Sequence, residues 1–368
     1  MIKHTYILAA GLLAAIPLLS ATALPVSAQQ TATAAPTAAA TEASPIDLSK
    51  LPLGDQKIST SPQRGYIYIC HSGNSGGGGA FQDGPWINSA AGIWDSTTKI
   101  NVSGSVAWPE AKFTMTTSGD QRVFSGNGLP INAITGTFPI GASDSAYKYD
   151  RNPNHIAAQK ISLSVPLNPT VAAKSGCVDG GMIGIETNGV PLFDGFDAGD
   201  RDAGAHEIQD QCGGHPQQDS QYHYHGISPC LTDSDGSNLV GYAADGFGIY
   251  GFHGDKQYTN ADLDECHGLT SPVMWNGQLT TIYHYQATHE FPYTIGCFRG
   301  TAVKTVGTPG NGGPQGSGNG TPTGPGNGGP GPGNGGPQPG GPGPGNGGPQ
   351  PGGPGPGNGG PPPTPVSQ

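Results

Sequence analysis

The sequence predicts a mainly β fold: a loop-rich single β domain, stabilised by disulfides and built on an internal tandem pseudo-repeat. Three observations predict it. Short β-branched and aromatic runs are separated by Gly, Pro, Asn and Asp, and helical periodicity is scarce. Six cysteines, an even number, occur in a chain that opens like an exported protein. A pattern of hairpin, Asp-x-Cys-x-Gly, Tyr-His-Tyr and Cys occurs twice.

Lys3 precedes an apolar run from Tyr6 to Leu19, and Val26-Ser27-Ala28 follows as a small-residue cleavage site. Residues 1–28 therefore read as a secretory signal peptide, cut after Ala28 or, as second choice, Ala23. The run is short for a bilayer span, and no later stretch is apolar enough, so no membrane span is expected after cleavage. Residues 29–60 are rich in Ala, Thr and Pro and read as a disordered linker. Residues 305–368 are Gly, Pro, Asn and Gln; the unit GGPGPGNGGPQP begins at Gly328 and recurs at Gly340. Glycine is not at every third position, which excludes collagen, and the segment cannot bury enough apolar area to offset its chain entropy. An extended uncharged tail of this kind suits association with a cell wall or surface. The net charge of −11 without any basic run argues against nucleic acid and anionic lipid as partners. The remaining residues, 61–304, suffice for one packed domain.

Within that domain Tyr66–Cys70 reads as a strand. The Gly-rich stretch after His71 lacks the Lys-Ser/Thr of a phosphate-binding loop. Trp86 and Trp94 read as buried anchors in loop-rich segments. Lys99–Val106, Lys112–Thr117, Arg122–Phe124 and Ala133–Phe138 are short and β-prone, and Ala157–Lys160 is the one brief helical hint. Asn188-Gly189 separates two apolar runs, as does Asp245-Gly246, and both dipeptides mark type I′ hairpins. Pro191 demotes its strand to an edge. The repeats run from about 181 to 230 and from 239 to 297. Their order favours Cys212–Cys230 and Cys266–Cys297 among the 15 pairings that six cysteines allow, leaving Cys70–Cys177. A duplication of this kind stacks two similar units about a pseudo-twofold axis. We expect the two Tyr-His-Tyr strands to be neighbours across it.

The candidate site follows from strand geometry. On an extended Tyr222–His225, the two imidazoles share one face and the two phenols the other, the imidazoles roughly 6.6 Å apart along the strand. Neutral imidazole binds zinc, copper or iron, and His-x-His on one strand face is a bidentate platform. His215 is the first candidate for a third ligand, because a Cys212–Cys230 bridge holds its loop near the strand; His206, His284 and His289 follow. Glu207 is a candidate ligand or catalytic acid/base. Asp210 is a candidate to orient an imidazole from behind, while Tyr222 and Tyr224 pack on the opposite face. The bland alternative is that each histidine is structural, its ring N–H on a carbonyl or carboxylate. Calcium is a separate candidate at Asp197–Asp202 and at Asp233–Asn238, although neither loop completes an EF-hand. No Gly-x-Ser-x-Gly occurs, and paired cysteines leave no thiolate nucleophile.

From Gly65 to Gly300 the chain resembles the YHYH-domain proteins, an exported family named for its tetrapeptide. The resemblance is carried by Asn188–Pro191, Cys212–Pro216, Tyr222–His225, Gly241-Tyr242 with Asp245–Phe247, Asp262–Cys266 and Phe291–Cys297. Such proteins often show a full Tyr-His-Tyr-His in the second copy, where this chain has Gln286. The resemblance implies no established reaction. Three readings of function are open: an exported domain binding a transition metal such as zinc or copper, a metal-dependent hydrolase or oxidoreductase using the same histidines, and a metal-free surface scaffolding or adhesion module.

Overall fold

The computed structural model describes residues 46–71, 80–231, 237–251 and 257–305. The signal peptide, most of the Gly-rich stretch after His71, residues 233–236 of the second acidic loop and the repeat tail from residue 306 lie outside them.

The chain opens with five two-residue strands: β1 (Leu51–Pro52), β2 (Ile58–Ser59), β3 (Ile67–Tyr68), β4 (Ile87–Asn88) and β5 (Ile93–Trp94). β1 and β2 correct the linker boundary. Leu51 and Leu53 are buried in the core, with Ile46 and Leu48 packed against it. Two pairs spaced two apart, Ile46/Leu48 and Leu51/Leu53, lie on either side of a turn closed by Lys50 N–H on the Asp47 carbonyl, and they anchor to the core what its Ala/Thr/Pro neighbours suggest is linker. Trp86 and Trp94 are buried as expected, and Trp86 Nε1 donates to the carbonyl of Ala205.

Next come β6 (Val106–Ala107), β7 (Phe113–Ser118), β8 (Gln121–Gly126), β9 (Ile134–Thr135) and β10 (Ile161–Pro166). β10, β8 and β7 form a three-stranded antiparallel sheet. Ala157–Lys160 is not helical. The described α-helix is instead the single turn α1 (Ala203–His206), whose N-cap Asp202 accepts from Ala205 N–H.

The two repeats form one eight-stranded sheet. The first supplies β11 (Met182–Glu186), β12 (Pro191–Phe193), β13 (Gly214–Pro216) and β14 (Tyr222–Tyr224). The second supplies β15 (Leu239–Ala243), β16 (Gly248–Tyr250), β17 (Gly268–Trp275) and β18 (Gln278–Gln286). The order β13-β14-β12-β11-β15-β16-β18-β17 is a palindrome of the two units, centred on the antiparallel β11–β15 pair. The units match in detail. Each hairpin carries a register shift, between Met182 and Gly184 and between Leu239 and Gly241. Leu192 pairs in parallel with Tyr224 as Ile249 does with Tyr285. Tyr222 and Tyr283 donate their hydroxyls to Asp210 and Asp264. Cys212–Cys230 and Cys266–Cys297 close the units, and Cys70–Cys177 joins the N-terminal part to the sheet, as the sequence favours.

Two expectations are corrected here. β14 and β18 are not neighbours: β12, β11, β15 and β16 lie between them, a separation of roughly 24 Å at the usual strand spacing. Nor is β12 an edge strand, since it pairs with both β11 and β14. Pro191 is tolerated because it is the first residue of the strand, where no ladder donor is required.

The sheet is covered on both faces. Met182, Ile185, Phe193, Tyr242 and Trp275 pack against Phe124, Ile161, Leu163 and Val165 of the smaller sheet. The irregularity after Met182 is what brings Met182 and Ile185, three residues apart, to the same face. The N-terminal strands, Tyr222, Tyr224 and the Phe291–Phe298 segment fill the other core.

Candidate metal centre

β13 and β14 pair antiparallel with His215 directly opposite His223. Period two then puts His223 and His225 on the same side as His215, and the three rings close on one point. Nε2 of His225 is 3.2 Å from Nε2 of His215 and 3.1 Å from Nε2 of His223. All three side chains are buried. Oε2 of Glu207, one residue past α1, lies 3.2 Å from Nε2 of His215 and 3.3 Å from Nε2 of His225. Tetrahedral zinc with metal–nitrogen bonds of 2.0–2.1 Å sets its ligand atoms about 3.3 Å apart. The observed spacings are of that size.

The far ring nitrogens decide which nitrogen is available. Nδ1 of His223 donates to the carbonyl of Gln221, and Nδ1 of His225 donates to the carbonyl of Asp194. A carbonyl only accepts, so these contacts fix the proton on Nδ1 and leave the Nε2 lone pair facing the cluster. Phe193 stacks on His223 at 4.1 Å and meets His225 edge-on, which holds both rings. His215 Nδ1 is buried without a hydrogen bond, as is Oε2 of Glu207 apart from its imidazole contacts. Buried polar atoms seldom go unpartnered, and a shared cation would satisfy the carboxylate oxygen.

Electrostatics follow from this packing. Burial works against the charge on Glu207, yet His215 and His225 outweigh it and hold the carboxyl well below the usual range. Burial, followed by repulsion from His215 and His225, drives the His223 imidazole well below its ordinary value. His225 moves the other way: burial opposes its cation, but contact with Glu207 raises it.

The other sequence candidates lie elsewhere. His206 is turned away, its Nε2 3.0 Å from Asp55 and its Nδ1 3.0 Å from Asp83. His284 occupies the His223 position of the second unit, with Nδ1 on the carbonyl of Ile282, and the strand order keeps it remote. His289 is half-buried beyond the same strand, and burial lowers its pKa. Asp210 orients no imidazole. Its carboxylate takes the Tyr222 hydroxyl and the backbone N–H groups of Gly136, Cys212 and Gly214. Tyr224 accepts from Nδ2 of Asn188 on the face opposite the histidines. In the first acidic loop, Asp197 is held by Arg201 and by backbone N–H groups, and Asp202 by Tyr293 and Gly54. These calcium candidates are thus engaged internally. Asp194, whose carbonyl anchors His225, has no signal in the sequence: its role comes from the parallel pairing of β12 with β14.

No curated protein and no solved structure matches the chain. A family model described as YHYH protein matches residues 162–262, a span that holds Glu207, His215, His223 and His225. Over that span the chain is similar to the YHYH protein family.

Proposed function

We propose that this is an exported protein that binds a transition-metal ion, zinc or copper by its donor set, through Nε2 of His215, His223 and His225. The observation that carries the reading is the convergence of three buried Nε2 atoms with two of the opposite ring nitrogens tied to carbonyls. Three neutral imidazoles supply no charge, and Glu207 supplies one negative charge against the cation. Among the described residues no helix is long and apolar enough to cross a membrane. Together with three disulfides, this supports an oxidising, extracytoplasmic location.

Elemental analysis of protein purified without a histidine tag tests the reading. One equivalent of metal is expected, lost in the His223→Ala/His225→Ala double variant while its circular dichroism stays native. Metal-free native protein that takes up no zinc or copper on titration sinks it.

Glu207 supports a second reading, a metal-dependent hydrolase or oxidoreductase. Its carboxyl is held ionised beside two of the three imidazoles, the state required to accept a proton. A metal there would supply Lewis-acid or redox chemistry. Glu207 would take the proton, and the His-bearing strands would hold the geometry. Turnover of ester, phosphoester or phenolic substrates, abolished by Glu207→Gln with metal retained, would establish it; no turnover by loaded protein leaves capture alone.

A further inference from the structure

The second unit reaches into the site of the first. The stretch from Gln286 to Cys297 is six residues longer than its counterpart from His225 to Cys230. The longer stretch holds Tyr293, whose φ is 70°. Left-handed backbone is costly for an aromatic residue, so its surroundings must hold it there. Tyr293 N–H donates to the carbonyl of Glu290, and its carbonyl accepts from Thr288 N–H. The side chain is buried and lies against α1.

α1 is the turn that delivers Glu207, and Tyr293 meets it at two points. Its hydroxyl donates to Oδ1 of Asp202 at 2.5 Å, the N-cap oxygen that also accepts from Ala205 N–H. Oδ2 of Asp202 takes Gly54 N–H at 2.8 Å. Capping itself needs only the Ala205 amide; the tyrosine adds a fixed place for the cap. Gly204 is the second point. A Cβ there would lie 2.6 Å from the hydroxyl oxygen and 2.8 Å from Cζ of Tyr293. Gly204 is helical, and alanine would favour that helix by about 1 kcal/mol. Close approach of the tyrosine therefore accounts for the glycine. The root of the same ring faces Gly226, the residue after His225, where a Cβ would lie 3.5 Å from Cβ of Tyr293. Tyr293 thus stands between the turn that precedes Glu207 and the strand end that carries His225. Oε2 of Glu207 and Nε2 of His225 are 3.3 Å apart.

We propose that Tyr293 is a positioning residue for the metal centre. It fixes the α1 turn so that Glu207 keeps its place beside His215 and His225. The proposal rests on the metal-binding reading above. It gives the second unit, which lacks the donor set, a part in the site of the first. A carboxylate held in place from behind costs less to order when a cation arrives.

The test reads zinc affinity by chelator competition, and the visible spectrum after cobalt loading, on the full chain. Tyr293→Phe should keep one equivalent of metal, weaken zinc at least about ten-fold and shift the cobalt spectrum. Tyr283→Phe is the matched control. It takes one hydroxyl from Asp264 in the other unit and should change neither readout. In a Glu207→Gln background, Tyr293→Phe should weaken zinc by less than about two-fold, because the carboxylate it places is gone. Gly204→Ala, which presses the hydroxyl away from Asp202, should reproduce the Tyr293→Phe loss; it takes over the test if circular dichroism shows Tyr293→Phe to be non-native. Wild-type affinity in these variants, an equal loss in Tyr283→Phe, or an undiminished loss in the Glu207→Gln background overturns the proposal and leaves the metal reading standing. A wild-type protein that takes up no metal overturns both.

Discussion

The two units of the sheet share a backbone and differ in what they hold. In the first, His215, His223, His225 and Glu207 converge. In the second, the same positions carry Leu269, His284, Gln286 and Ala261. The anchoring contacts survive the loss of the donors. Nδ1 of His284 meets the carbonyl of Ile282 as Nδ1 of His223 meets that of Gln221. Gln286 donates to the carbonyl of Gly251 where His225 donates to that of Asp194. The framework of disulfide, tyrosine–aspartate contact and bulged hairpin is therefore separable from metal chemistry. The convergent donor set of the first unit is a few side chains placed on a scaffold that stands without them in the second.

Four experiments would break or sharpen that comparison. The largest effect should be in affinity. His223→Ala/His225→Ala should abolish metal binding, while His284→Ala/Gln286→Ala should leave one equivalent bound, both measured by elemental analysis. Equal loss from both pairs would make the sites one. Next are the disulfides. Replacing either Cys212 and Cys230 or Cys266 and Cys297 by Ala releases a loop of 18 or 31 residues and should cost about 3 kcal/mol in denaturant titration. Only the first pair should also weaken the metal, because its loop carries His215.

Third is the response to acid. Imidazoles must be neutral to ligate, and a group whose folded pKa is depressed gives up stability as pH falls below its unfolded value. As pH falls, metal should begin to leave above about 6.5, the ordinary histidine value, because contact with Glu207 outweighs burial, raises His225 and makes it the first ring to take a proton. In the second unit, burial pushes His267 down to about 3, so stability should fall from about pH 6.5 toward that value. His267 stands where the first unit has Gly213, and both have positive φ, 72° and 77°. His267→Gly should flatten this part of the acid unfolding curve; an unchanged curve would remove His267 as its cause. The smallest effect is expected from Tyr222→Phe and Tyr283→Phe. Each removes one hydroxyl from a largely buried aspartate and should cost about 1–2 kcal/mol in thermal unfolding. Similar losses would mark the contact as framework, and a loss confined to Tyr222 would tie it to the metal.

Much of this was legible in the sequence because its causes are local. Asn188-Gly189 and Asp245-Gly246 locate the two hairpins, although not as type I′ turns: only Gly189 and Gly246 have positive φ, and their N–H groups bond back to the carbonyls of Glu186 and Ala243, so each glycine follows the turn instead of sitting inside it. Period two puts His223 and His225 on one face whatever surrounds them. The repeat order paired the cysteines. Strand order was not legible, because the β12–β14 and β16–β18 pairings depend on crossovers that no local pattern records. That is why His284 and His289 read as neighbours of a site they never approach. His206 was misleading for a similar reason. It precedes Glu207, but Asp55, 151 residues away, claims its ring. Residues 46–60 were hidden by composition, their few leucines and isoleucines outnumbered by residues typical of linkers.

The antiparallel β11–β15 seam has a consequence for dilution. Two separate molecules, each bearing one unit, would form this seam only above some threshold concentration. Carried on a single polypeptide, it closes as a first-order event with the tether supplying the effective molarity. The unit with the three-histidine cluster thus keeps its companion at any dilution.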